Sequence, residues 1–261
     1  MSNLGQAVWV ELLKARRSKV PLFTALALAM VPFAGGFFMV VMKDPALARR
    51  LGMVSAKAQI VVGAADWPTY FMLLAQAVAI GGIIVFSFVA SWVFGREYAD
   101  NTLKDLLALP TSRISIVLAK FAVCGLWAIL LAILIYLLGL LVGALVGLPS
   151  PTTAAMVHGS LIFAGAAVLT ILLMPPVAFF AGVGRGYLAP MGAAIFFVVA
   201  AQIVAAAGWG EFFPWAVPAL YANIAGPGIE MGWISYALVV AAAVLGAAAT
   251  LWWWAAADHS G

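Results

Sequence analysis

The residues of this chain that could do chemistry are few, and they are not spaced to do it. With 2 histidines and 1 cysteine in 261 residues, a zinc site lacks its usual donors. No H-E-x-x-H run sets two imidazoles on one helical face, so metal-dependent intramembrane proteolysis lacks its ligands. The cysteine, Cys124, lies in an apolar run. It can close no intrachain disulfide and implies no redox compartment. His158 stands near the outer start of an apolar segment, where a helix-boundary residue outweighs a proton relay. The run Gly182-x-Gly184-x-Gly186 has glycines but no following lysine, and reads as a turn. No G-x-x-x-x-G-K-[ST] loop occurs, so ATP cannot be held in that way. The expectation is a chain that is not an enzyme and carries no metal or cofactor of its own.

The one strongly polar internal segment runs from Gly95 to Lys120. Asn101 or Thr102 can cap a helix there, and Thr102-x-x-Asp105 approximates a capping box. Pro110 stops it, so a two-turn helix over Thr102–Leu109 is expected. Leu103, Leu106, Leu107 and Leu109 give that helix an apolar surface which another element or protein must cover. Arg113 follows, and Lys120 closes the segment.

The elements that carry this segment are dictated by composition. The chain is 66% hydrophobic and only 8% charged, with mean hydropathy +1.15. Globular domains hold roughly 45–50% apolar and 25% charged residues. Phe121 to Gly184 contains no Asp, Glu, Lys or Arg, so it has no solvated face. A bilayer crossing takes roughly 20 apolar residues. Six such stretches are read at 20–42, 67–94, 121–148, 154–181, 187–207 and 233–257. Residues 1–261 thus form a single transmembrane domain, an all-α polytopic membrane protein. Residues 95–120 make one loop, and the aromatic, proline-rich 208–232 another. The first apolar stretch outruns the roughly 7–15 residues of a signal-peptide core, so a cleaved leader is not expected.

Residues 1–19 read as an amphipathic helix. At about 100° per residue, Leu4, Val8, Leu12 and Ala15 share a face with Trp9 at its edge, and Asn3, Gln6, Lys14 and Arg17 lie opposite. With Arg16 beside Arg17, this is the pattern of a helix in the headgroup plane; a solvated leader is the alternative. Gly139, Gly143 and Gly147 form a small-residue ladder that admits a close helix, from this chain or a second copy. Pro175-Pro176 should bend the fourth span, as a hinge or a fixed kink. Gln76, Ser87, Ser91, Thr170 and Gln202 either line a cavity or bond between helices.

Lysine and arginine placement sets the orientation. With the N-terminus inside, inner segments carry nine basic residues (Lys14, Arg16, Arg17, Lys19, Arg96, Lys104, Arg113, Lys120 and Arg185) and outer ones four (Lys43, Arg49, Arg50 and Lys57). Both termini are therefore expected in the cytoplasm. Trp67 and Trp233 would anchor outer boundaries, and Trp92 with Trp252-Trp253-Trp254 inner ones. The same distribution explains the pI near 9.4 without nucleic acid.

The stretch from Arg96 to Lys120 resembles the signature of type-2 ABC transporter permeases. There a Glu after the second span precedes a Gly-Thr pair, Leu-Leu, Pro, Ser-Arg and Lys; here these are Glu97, Thr102, Leu106-Leu107, Pro110, Ser112-Arg113 and Lys120. Asn101 stands where Gly is usual, a mild departure because Asn tolerates the left-handed conformation. The resemblance implies that Thr102–Leu109 is a cytoplasmic coupling helix docking on a separate ATPase. Glu97, Thr102, Leu103, Leu106, Leu107, Pro110 and Arg113 would serve that coupling. The N-terminal helix, with Trp9, Leu12, Arg16 and Arg17, would lie beside it. It further implies two ATPase copies binding ATP and Mg, a second permease chain as homodimer or heterodimer, and an outward re-entrant element in 208–232. The expected function is the plasma-membrane permease of an ATP-driven exporter of hydrophobic or amphipathic cargo: an antimicrobial peptide, drug or lipid-like molecule. The alternative is a non-transporting assembly or sensory component that docks a cytoplasmic partner through the same loop.

Overall fold

Helix starts in this chain are set by short polar side chains that stand immediately before apolar runs. Asp66 Oδ1 accepts from Thr69 N at 3.0 Å and opens the second span, with Pro68 in its first turn. Ser112 Oγ accepts from Ser115 N at 3.1 Å and opens the third. Thr152 Oγ1 accepts from Ala155 N at 3.2 Å and opens the fourth. Each cap satisfies a donor that has no partner inside its helix. The computed structural model describes residues 3–44, 46, 50, 64–107, 110–226 and 231–256. Among these it is helical throughout apart from turns, with no strand.

The six spans are Val20–Lys43, Trp67–Ala99, Arg113–Leu145, Thr153–Val183, Leu188–Ala206 and Trp233–Ala256. An N-terminal helix, Asn3–Arg17, precedes them, and a short helix, Leu103–Leu107, joins the second span to the third. The third span begins eight residues ahead of the expected Phe121, because the Ser112 cap lies there. At 33 residues it is about 50 Å long, well beyond a hydrocarbon core of about 30 Å. Lys120 is thereby drawn into the helix instead of ending a loop.

The second span is interrupted by a five-residue π-helical turn, Val78–Gly82, which the apolar pattern could not reveal. The fourth is broken ahead of Pro175-Pro176: one helix ends at Ile171 and the next starts at Met174. Restarting there puts both prolines in a first turn, where a missing N–H costs nothing. The bend is also clamped. A Cβ added at Gly246 of the last span would lie 2.7 Å from Pro176 Cα, so the two backbones are already in contact.

The segment after the fifth span folds back into the bundle. Its turns Gly210–Phe212 and Val217–Tyr221 bury Trp215, Val217 and Leu220 against Ile83, Leu169 and Leu173. Ile83 lies midway along the second span. Gln76 Nε2 donates to Ala222 O at 3.1 Å and fixes the inserted turn. The expected loop residues Pro227 and Glu230 lie outside the described residues.

Of the two partners open to the small-residue ladder, Gly139 and Gly143 face the chain's own second span, since a Cβ on Gly143 would lie 2.6 Å from the Trp67 ring. Other sequence expectations need correction. Trp67 fills that slot at 7% exposure and is not a lipid-facing anchor. Trp254 is 0% exposed, whereas Trp233 and Trp252 do face outward. Gly147 packs no helix: it lies past the end of the third span with φ +68°. There Lys43 Nζ donates to Val146 O at 2.9 Å and to Gly147 O at 2.5 Å, covering carbonyls the helix end leaves open.

Candidate functional site

Glu11 falls seven residues after Leu4 and three after Val8, on the apolar stripe of the N-terminal helix. An acid there needs a cation, and the fold supplies two, buried Lys120 and half-buried Lys14. Lys120 Nζ donates to Glu97 Oε2 at 2.8 Å, to Glu11 Oε2 at 3.3 Å and to Val93 O at 2.7 Å. Lys14 Nζ donates to Glu97 Oε1 at 2.8 Å and to Glu11 Oε1 at 2.7 Å. Each carboxylate thus bridges both ammonium groups, in a closed ring of alternating charge. The ring joins the N-terminal helix, the lower end of the second span and the third span.

Burial makes this ring a structural element. Lys120 is 0% exposed and Glu97 2%. Phe94 and Trp254 rings lie 5.9 and 6.0 Å from the Lys120 ammonium, within cation–π range. All three Lys120 donors are engaged, the full capacity of an ammonium. Two negative and two positive charges cancel, which is the condition for keeping ions out of water. Burial alone pulls the Lys14 pKa down, but the Glu97 and Glu11 carboxylates outweigh it and hold it above the ordinary lysine value. Lys14, assigned by periodicity to the solvated face, is therefore turned inward.

The short helix hangs from this ring by its backbone. Thr102 N donates to Glu97 O at 3.0 Å, so Glu97 holds the ring with its side chain and the helix with its carbonyl. Asn101 makes the turn between them at φ +55°, the left-handed conformation that asparagine tolerates. Leu103 is buried and Leu106 half-buried, both packed on the main core. The helix is described over Leu103–Leu107, starting one residue after the expected Thr102; residues 108–109 lie outside the described residues. The Leu107 side chain is likewise outside them. Thr102, Asp105 and Pro110 are exposed.

Besides Leu103 and Leu106, which pack on the chain's own core, two more residues read as docking contacts have other neighbours. Glu97 is buried, so it cannot itself touch a partner and acts only by positioning. The Arg113 guanidinium lies 3.4 Å from the Trp254 and Ala255 carbonyls, at the end of the last span, where a cation complements the helix dipole. In the N-terminal helix, Trp9 is 61% exposed, Leu12 packs on the core, and Arg16 and Arg17 are exposed. Of the remaining polar residues, Gln76 and Ser91 bond to other segments, Thr170 bonds only within its own helix, and Gln202 lines a cavity. Ser91 Oγ donates to Tyr187 O at 3.2 Å and Thr170 Oγ1 to Ala166 O at 2.7 Å. His158 is exposed, in the second turn of the fourth span. Among the described residues no group of three or more His, Cys, Asp or Glu could hold a metal.

The arrangement ties the short helix to the N-terminal helix and to the second and third spans. A family model described as ABC-2 family transporter protein matches residues 7–201. The bacitracin transport permease protein BCRB of Bacillus licheniformis is 28% identical over 135 residues, which is 52% of this chain and 65% of that protein. The matched part thus spans just under two thirds of that relative's length.

Proposed function

This chain belongs to the ABC-2 family of transporter proteins, and on that footing we propose that it is the membrane-spanning permease of an ATP-driven exporter. Two copies of a separate ATPase bind ATP and Mg and supply the work. The cargo is hydrophobic or amphipathic, and a peptide antibiotic is favoured by the likeness to a bacitracin permease. Both termini lie in the cytoplasm, in keeping with nine basic residues on that side against four.

One observation carries this reading: Leu103–Leu107 is tied through Glu97 to a neutral ion ring shared by three helices. A push on that helix is felt at once by the N-terminal helix and the second and third spans. Packed elements of this kind move as units. A second permease chain completes the pathway. The fifth span, only 11% buried within the chain, is the face left for it.

The test is association. Tagged permease, extracted in mild detergent, should retain a stoichiometric ATPase, and Asp105→Arg, at an exposed position of the short helix, should abolish that retention while the permease stays folded. Undiminished ATPase retention by the variant would sink the coupling role of this helix. A non-transporting assembly role would show as association without cargo-dependent ATP hydrolysis in vesicles.

A further inference from the structure

Beside the ion ring, and sharing Lys14 with it, lies an open cavity of about 440 Å³. Its polar wall is Lys14, Arg17, Trp92, Arg96, Asp100 and Tyr187. Val10 and Leu13 form an apolar side. We propose that this cavity binds the headgroup of an anionic phospholipid, with the phosphodiester between Arg17 and Arg96 and the start of the acyl chains along Val10 and Leu13. The inference needs only a chain that spans the bilayer, and stands apart from the export reading.

The charges in the cavity favour one anion. Lys14 is neutralised by Glu11 and Glu97 in the ring. Arg96 Nε meets Asp100 Oδ2 at 3.2 Å, which cancels one charge but leaves its terminal amino groups to donate elsewhere. Arg17 has no counter-ion among the described residues and is exposed. The wall is therefore left with one uncompensated positive charge and several guanidinium donors, matching a monoanionic phosphodiester. A larger polyanion would meet Asp100.

Position favours a lipid over a soluble anion. Arg17 stands at the junction of the N-terminal helix and the first span, which starts at Val20. Trp92 and Arg96 occupy the last turns of the second span, which ends at Ala99. Tyr187 immediately precedes the fifth span, which begins at Leu188. Three spans end at this level, so the cavity lies where headgroups are. Trp92, with the Arg96 guanidinium 5.1 Å from its ring centre, and Tyr187 are the amphipathic aromatics of that zone. Basic pockets between spans are where anionic headgroups are held.

Native mass spectrometry of the full-length detergent-purified chain tests this, with phosphatidylglycerol and phosphatidylcholine as probes. Wild type should retain phosphatidylglycerol about tenfold more tightly than phosphatidylcholine. Arg17→Gln and Arg96→Gln should each erase most of that preference, and Arg17→Lys should keep part of it. Arg16→Gln removes the same charge from the same helix but not from the cavity, and should leave the preference intact. Equal loss in Arg16→Gln and Arg17→Gln would reduce the effect to diffuse attraction and overturn the site. So would equal retention of the two lipids, or displacement of phosphatidylglycerol by millimolar inorganic phosphate, which would mark a small-anion site. Because Arg17 is exposed, its variants report on binding even if Arg96→Gln fails to fold.

Discussion

Lys120 is fully enclosed and yet fully ionic, because every N–H it owns meets an acceptor, one on the N-terminal helix (Glu11) and two on the second span (Val93 and Glu97). The consequence is asymmetric. Lys120→Met would leave two carboxylates sharing one ammonium, and breaking a buried pair in this way costs about 3–5 kcal/mol. The melting temperature of the detergent-purified chain should fall accordingly. Glu97→Gln combined with Lys120→Met removes one charge of each sign and should be milder than Lys120→Met alone. A double variant that melts lower than the single would refute the closed ring. Lys14 adds a pH dependence of defined sign. Its pKa is raised on folding, so its contribution is complete below the ordinary lysine value of 10.5 and is lost as pH rises through the raised value. Lys14→Met should therefore narrow the gap in melting temperature between neutral and strongly alkaline buffer.

At the scale of elements, small residues decide which helices meet. Gly143 gives Trp67 its place, and Gly139 lies against Leu74. Gly143→Leu must expel the Trp67 ring from a filled slot, and overpacking of this kind costs about 1–3 kcal/mol. It should lower the melting temperature and move the tryptophan emission. Gly147→Ala tests a different property, since only Lys43 Nζ lies near the added carbon, at 3.9 Å, while φ is +68°. Its cost should be about 1 kcal/mol from backbone strain alone, without a change in emission. A larger effect from Gly147 than from Gly143 would contradict this division of roles. The broken fourth span follows the same logic. Pro175 and Pro176 begin a helix instead of interrupting one, and Gly246 lies against Pro176.

For the whole molecule, the orientation deduced from basic residues has a direct check. Cys124 is buried, so single cysteines placed elsewhere can be labelled over a low background. In Cys124→Ala, Thr102→Cys should react with an impermeant maleimide only in inverted vesicles, and Thr152→Cys only in intact cells. Both positions are exposed and lie at opposite ends of the third span and its connections. Reactivity of Thr102→Cys from outside would place the short helix beyond reach of any cytoplasmic ATPase. At this scale the spans differ greatly in how much they touch each other: half of the second span's apolar window is buried but only 11% of the fifth's. The second, third and fourth spans thus form the body, and the fifth remains available to lipid or to another chain.

Hydropathy alone determined that lipid surrounds this chain and that it crosses six times, because apolar length against bilayer thickness is a one-dimensional quantity. Asn101 and Thr102 placed the start of the short helix within one residue, since they act on their immediate neighbours. Only the tertiary structure decided which charges face inward. In spans that are apolar nearly all round, periodicity cannot tell a lipid-facing side from a helix-facing one. Lys14 and Lys120 could be counted as basic flanks, but their partners Glu11 and Glu97 come together only when three separate helices pack. The one local sign was Glu11 on an otherwise apolar stripe, an acid that folding had to neutralise. The inserted turn at Trp215–Leu220 and the π-helical turn beside it were equally invisible, because each is stabilised by residues far away in the chain.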